Sequence, residues 1–288
     1  MSNHATDPAL HAQPAAVHRA LPAARRHRAR IATMALFFVA GMMYASWGVH
    51  VPTVRDKFHL NAAMLSYALF AVAGGSIAAM TSIGTWIARV GSRRACFAGG
   101  ITMSVCGALI LVVPYYWMLI VVLAAFGIGM ATLDVAMNAE ASAVEEAVGK
   151  PIMSGLHGMF SLGGMAGAAI GGALLARGMA PALHLLLASA LAALVLAVSC
   201  PAVLPHVPHA AHGEHAKTGN RWRTPALWAL GAIALIALIA EGAMYDWATV
   251  YMRDVVLSTP ALASAAYAAF SGGMAIARFA GDAVRARF

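Results

Sequence analysis

The chemistry available to this 288-residue chain rests on a few ionisable side chains set in apolar sequence. Glu241 stands about mid-way along the stretch Ala226 to Tyr251, with apolar neighbours on its amino-terminal side. A carboxyl group in that setting can take up and release a proton as access to it alternates. The competing account is a permanently neutral Glu241, hydrogen-bonded to a neighbouring helix. Asp246 follows five residues later, roughly 140° around a helix, and reads either as a second carboxylate of the site or as exterior loop. Asp134 and Asn138 are one helical turn apart and share a face. An acid at the centre of a bilayer costs roughly 2.5–3.5 kcal/mol, so it tends to be kept for function. Asp134 stands near one end of its stretch, however, and pairing with Arg89 or Arg93 at the interface explains it equally well.

His157, in Ser154-Gly155-Leu156-His157-Gly158-Met159-Phe160-Ser161, could relay protons or bind a hydroxylated solute, since imidazole titrates near neutral pH; a satisfied packing residue is the alternative. Tyr44, Trp47, Tyr67, Tyr245 and Trp247 could stack on the faces of a sugar or another ring, although Trp47 and Trp247 also suit an interfacial belt, as do Tyr115, Tyr116 and Trp117. His206, His209, His212 and His215 recur every three residues and could collect a divalent metal. Interleaved Pro205, Pro208 and Gly213 deny them a common helical face, and a linker is the simpler reading, so no metal site is assigned. Ser161 and His157 lie four apart, which raises the thought of a membrane serine enzyme, but no acid or oxyanion scaffold accompanies them. HExxH, Walker and paired-cysteine motifs are absent from the sequence. The chain is therefore expected to be no enzyme and to need no cofactor.

These side chains must be positioned by helices in a bilayer. Hydrophobic residues make up 61% and charged residues 10%, with a mean hydropathy of +0.75; a soluble domain carries about 25% charged residues. Stretches that meet or approach the roughly 20 apolar residues of a membrane-crossing helix run over Ile31–Val49, Ala62–Ala88, Ala95–Val113, Tyr115–Met137, Ile152–Ala176, Ala180–Leu204, Ala226–Tyr251 and Ala261–Ala277. The fold class is thus all-α and polytopic. Residues 1–30, rich in Ala, Pro, His and Arg, read as a disordered tail. Ile31–Val49 runs straight into further spans and reads as the first helix, not a removed leader. Cys96, Cys106 and Cys200 read as free core thiols.

The net charge of +8 is topological. With the amino terminus placed in the cytoplasm, the inner segments hold all the basic residues except Arg55, Lys57, Arg177 and Arg253, as the positive-inside rule requires. No nucleic-acid partner is implied, and the expected location is the inner (plasma) membrane, with the lipid bilayer as partner.

Gly41-Met42-Met43-Tyr44, then Trp47, returns as Gly242-Ala243-Met244-Tyr245, then Trp247; Arg55-Asp56 returns as Arg253-Asp254, and Tyr67-Ala68-Leu69-Phe70 as Tyr267-Ala268-Ala269-Phe270. A direct repeat of a helical unit is a signature of secondary transporters. Residues 31–204 then form a six-helix bundle, 205–224 a His-rich cytoplasmic linker, and 225–288 the first two helices of a second bundle. Completing that bundle would take roughly four more spans of about 20 residues, so a truncation is suspected, and a non-transporting remnant is one reading of the chain.

Between the second and third stretches lies Gly84-Thr85-Trp86-Ile87-Ala88-Arg89-Val90-Gly91-Ser92-Arg93-Arg94. Glycines allow a tight turn there, and arginines face helix ends and anionic lipid. This segment resembles the loop signature of the major facilitator superfamily in Gly84, Arg89, Gly91, Arg93 and Arg94, with Ala88 in place of the usual aspartate. A degraded second copy runs from Gly281-Asp282 to Arg287. Asp134-Val135-Ala136-Met137-Asn138 resembles the acid-x-x-x-Asn signature of the fucose-permease-like branch, in which the acid is tied to proton-coupled sugar uptake. The fifth stretch lacks the Gly-Pro pair of the antiporter signature. The resemblance covers residues 31–288. It implies a permease, monomeric when full length, that carries a small polar or sugar-like solute with protons through a site between two rocking bundles. Glu241 and Asp134 are the expected proton carriers; Asn138, His157, Tyr44 and Tyr245 are the expected solute contacts. Drug efflux, or metal efflux through the linker histidines, is the alternative.

Overall fold

The computed structural model of the protein describes residues 14–205, 225–285 and 287. Nine α-helices follow one another in the described residues: α1 (Pro14–Arg19), α2 (Ala23–Phe58), α3 (Ala62–Val90), α4 (Ser92–Leu109), α5 (Tyr116–Val148), α6 (Met153–Ala176), α7 (Pro181–Ser199), α8 (Pro225–Asp254) and α9 (Pro260–Arg285). A 3₁₀ turn, Cys200–Ala202, extends α7. Seven helices are long and apolar enough to cross a membrane, and the protein is an all-α membrane protein. The eighth expected span is α4, which falls short because its first turn is spent on Ser92, Arg93 and Arg94.

Local signals set the helix ends. His59 takes a left-handed conformation (φ 52°) and closes α2, with the Leu60 amide donating to the Arg55 carbonyl at 2.9 Å. The Asn61 side chain then caps α3, accepting from the Met64 amide at 2.9 Å. Gly91, at φ 85°, breaks the chain between α3 and α4, a conformation that favours glycine.

Helix α2 is the axis of the molecule. It packs on α6, α7, α5 and α8, and its side chains are buried along most of its length. Its closest neighbour is α6. A methyl at Gly41 would collide with the Phe160 carbonyl, and one at Gly163 with the Phe38 carbonyl; the backbones touch where the small residues stand. Gly163, Gly167 and Gly171, spaced four apart, face Phe38 and Met42 of α2, then the His184 ring of α7. The remaining neighbours are α3 and α4 against α5, α7 against α4, and α9 along α6.

Three of the sequence boundaries that differ from the structure bear on its charged groups. First, α1 occupies residues 14–19 and α2 begins at Ala23, within what reads as a tail. The order has a visible cause: Arg19 donates to the Glu146 carbonyl at 3.1 Å and Arg26 to that of Ala147 at 2.8 Å, so basic side chains meet the unsatisfied carbonyl end of α5. Second, α5 runs to Val148, eleven residues past Met137, and brings Glu140 inside. Third, α9 runs past Ala277 to Arg285, so Arg278 is an interior residue and not an end-of-helix charge. The histidine tract 206–215 lies outside the described residues. All three cysteines are free and buried.

Candidate functional site

The polar centre lies where α8 and α9 meet α2 and α6. Arg278 of α9 donates through Nη2 to both carboxylate oxygens of Glu241 on α8, at 2.8 and 3.1 Å, and through Nη1 to Ser161 Oγ of α6 at 2.7 Å. Both charged side chains are about four-fifths buried, with 23% and 19% of the side chain exposed. Sequence offered Glu241 as a carboxyl among apolar neighbours; the fold gives it a guanidinium from the next helix. An ion pair removed from water is stable only when both members are present, and losing one costs about 3–5 kcal/mol.

One turn beyond Glu241, Tyr245 begins an aromatic cluster. Its ring meets Tyr44 of α2 edge-on at 5.7 Å, Tyr267 at 5.2 Å and Phe270 at 5.4 Å. Tyr44 donates its hydroxyl to Asp246 Oδ1 at 3.3 Å, so Asp246 belongs to the interior group and not to an exterior loop. Beside this pair is a cavity of about 120 Å³. Tyr44, Trp47, Ser76 and Asp246 supply its polar and aromatic wall; Val72 and Met130 stand among its apolar lining. Trp47 is 2% exposed, an interior residue and no interfacial anchor. Here α2, α3, α5 and α8 converge on one space.

The repeated sequence elements face one another. Tyr44 and Tyr245 occupy matching positions in the echo and are in ring contact. Arg55 pairs with Asp254, crossing between the two Arg-Asp copies, at the end of the molecule away from α1. Tyr67 and Tyr267 do not behave alike. Tyr267 is 1% exposed beneath Tyr245, whereas Tyr67 is 65% exposed on the open face of α3.

At the opposite end, the end of α1, Asp282 of α9 accepts from the Ser154 and Gly155 amides at 3.0 and 2.6 Å, and Ser154 Oγ donates to the Arg278 carbonyl at 2.6 Å. A carboxylate on the first amides of α6 satisfies donors that the helix leaves unpaired. Thus α8 and α9 are tied to α2 and α6 at both ends and in the middle.

The remaining sequence candidates lie elsewhere. His157 sits edge-on to Phe37 at 5.2 Å, on the same side of α6 as the Arg278 pair. Asn138 turns its amide back onto Asp134, donating to the backbone carbonyl at 2.9 Å and to Oδ1 at 3.2 Å, so this pair is closed upon itself within α5. Arg89, Arg93 and Arg94 of the loop segment are exposed at the α1 end, and a methyl at Gly84 would meet open space. Glu140, which the sequence did not single out, is the acid that holds this end together: it is 1% exposed, accepting from Ser92 Oγ at 2.8 Å and from the Leu204 amide at 2.6 Å. Its signal was Glu140 lying six residues after Asp134, beyond the expected end of the span. Arg278 was missed for the same reason. Among the described residues, no group of three or more His, Cys, Asp or Glu side chains could hold a metal ion.

The chain has seven helices long and apolar enough to cross a membrane, and the sequence profile described as the Major Facilitator Superfamily matches residues 32–288. The chain belongs to that superfamily. Among curated proteins it resembles an uncharacterised MFS-type transporter of Yersinia pestis, 31% identical over 255 residues, with 88% of this chain and 65% of that protein covered. An uncharacterised transporter of Sinorhizobium fredii, y4wD, is 28% identical over 259 residues, covering 88% and 66%. Membrane protein MosC of Rhizobium meliloti is 27% identical over 250 residues, covering 86% and 60%. The chain spans 60–66% of the length of these relatives, less than two thirds of each.

Proposed function

We propose that the chain is the larger part of a proton-coupled secondary transporter that moves a small polar or sugar-like solute by alternating access, as in the fucose-permease-like branch. The solute sits in the cavity beside Tyr44 and Asp246. The Glu241–Arg278 pair carries the coupling: protonation of Glu241 removes one charge of the pair, frees Arg278 from α8, and loosens α8 from α9 and from the α6 side chain that Arg278 also holds. The basic end, with α1, is taken as the cytoplasmic side of an inner membrane. Asp134 and Asn138 hold α5, and His157 borders the pair.

One observation supports this reading above the rest: a largely buried charged pair with its serine, and a tyrosine–carboxylate bond further along α8, stand between α2, α6, α8 and α9. Intramembrane ionisable groups are costly and are retained where they act. The test is uptake of radiolabelled sugars into proteoliposomes under an imposed pH gradient. Acid-outside vesicles should accumulate solute, and Glu241→Gln should leave exchange intact while reducing gradient-driven accumulation at least tenfold. Full accumulation by Glu241→Gln would remove that residue from the coupling.

A further inference from the structure

The cavity beside Asp246 has a one-sided hydrogen-bonding character. Tyr44 spends its hydroxyl proton on Asp246 Oδ1, and Ser76 spends its own on the carbonyls of Val72 and Gly127, each at 3.0 Å. What Tyr44, Ser76 and Asp246 present to the cavity is therefore oxygen lone pairs. Asp246 is the lining residue with a formal charge. The neighbouring cations are committed elsewhere, Arg278 to Glu241 and Ser161, and Arg55 to Asp254 and Asp56. The rings of Tyr44 and Trp47 complete the wall. A carboxylate withdrawn from water needs a compensating positive charge. Acceptor oxygens need N–H donors, and aromatic faces attract cations.

We infer that this cavity takes a small hydrophilic solute bearing a protonated amine, with the ammonium on Asp246 and the Tyr44 and Ser76 oxygens and the body of the solute against Trp47 and α3. The inference rests on the reading of this cavity as the solute site and narrows its substrate class. An ammonium offers three donors and one charge to a wall of acceptors with one opposite charge. A neutral polyol would satisfy the same oxygens but leave the carboxylate uncompensated.

Matched pairs of probes that differ by amine against hydroxyl test this on the purified 288-residue chain: ethanolamine against ethylene glycol, and glucosamine against glucose, by calorimetric titration. The amine of each pair should bind at least tenfold more tightly. Asp246→Asn, similar in shape, should erase the difference, Asp246→Glu should keep part of it, and thermal unfolding of each variant checks that it is folded. Equal affinities, a preference that survives Asp246→Asn, or no binding by any of the four overturns the inference. Proteoliposome uptake separates it from the transport reading. Uptake of glucose with no preference for glucosamine would end the amine class and leave transport standing, whereas amine binding without uptake of either would do the reverse.

Discussion

Two buried histidines from different helices show what a single residue contributes. His50 of α2 and His184 of α7 share a hydrogen bond of 2.8 Å, at 0% and 4% exposure, and His50 Nδ1 has no partner among the described residues. Neither residue drew notice in the sequence, because 134 positions separate them and each alone reads as packing. Removing one partner of such a bond leaves a desolvated polar ring, which costs about 1–3 kcal/mol, while replacing both by apolar groups is nearly neutral. His184→Ala should therefore lower the unfolding free energy in detergent by about that amount, and His50→Phe with His184→Leu should restore most of it. Additive losses in the double variant would show that the two rings act separately. The Glu241–Arg278 pair obeys the same asymmetry at higher cost. Arg278→Ala should destabilise by about 3–5 kcal/mol, more than any exposed arginine of the Arg89–Arg94 segment, for which a change within about 0.5 kcal/mol is expected.

At the scale of elements, α2 and α6 form the closest helix pair, and the glycines decide how near they come. Gly163→Ala should push a methyl into the Phe38 carbonyl and destabilise by about 1–3 kcal/mol. Gly84→Ala, in open space on α3, should be neutral or slightly stabilising, since alanine favours a helix by about 1 kcal/mol over glycine. Thermal unfolding of the two variants side by side checks the contrast, and equal effects would mean the seam is not a tight contact. Helix α8 is the opposite case. Its residues 225–240 are exposed and apolar all round, Leu230, Ile233 and Ile236 among them, so an apolar medium must cover them. The glycine spacing on α6 was legible in sequence because period four puts small residues on one stripe. The facing partner was not, since any helix could have filled that groove.

Across the whole molecule, the two-helix unit α8–α9 is held at both ends at once, to α2 by Arg55 with Asp254 and to α6 by Asp282 on its first amides. The alternating access proposed above requires each tie to open in turn. Exposed ion pairs contribute only about 0.2–1 kcal/mol to stability, and a helix cap about 0.5–2 kcal/mol, so both are weak enough to break in a transport cycle. Asp282→Ala should raise the labelling rate of a reporter cysteine at buried Ala168, in a background without native cysteines, when an impermeant maleimide is added at the α1 end. Arg55→Ala should do so from the other end. Labelling that stays unchanged from both ends would show that these ties do not close the path.

Composition and the spacing of apolar runs determined that this chain is a helical membrane protein, because a bilayer tolerates few other solutions for backbone polar groups. The residue echo over two hundred positions, Tyr44 with Tyr245 above all, carried the expectation of a repeated helical unit, and the Gly84–Arg94 segment carried the family. Only the tertiary structure decided which charges meet. Glu241 is partnered because α9 continues far enough to deliver Arg278, Asp246 is interior because Tyr44 reaches it from α2, and Asp134 meets Asn138 of its own helix. Helical periodicity states which residues share a face; which face meets which neighbour is settled by packing between segments distant in sequence, and one chain's pattern does not encode that on its own.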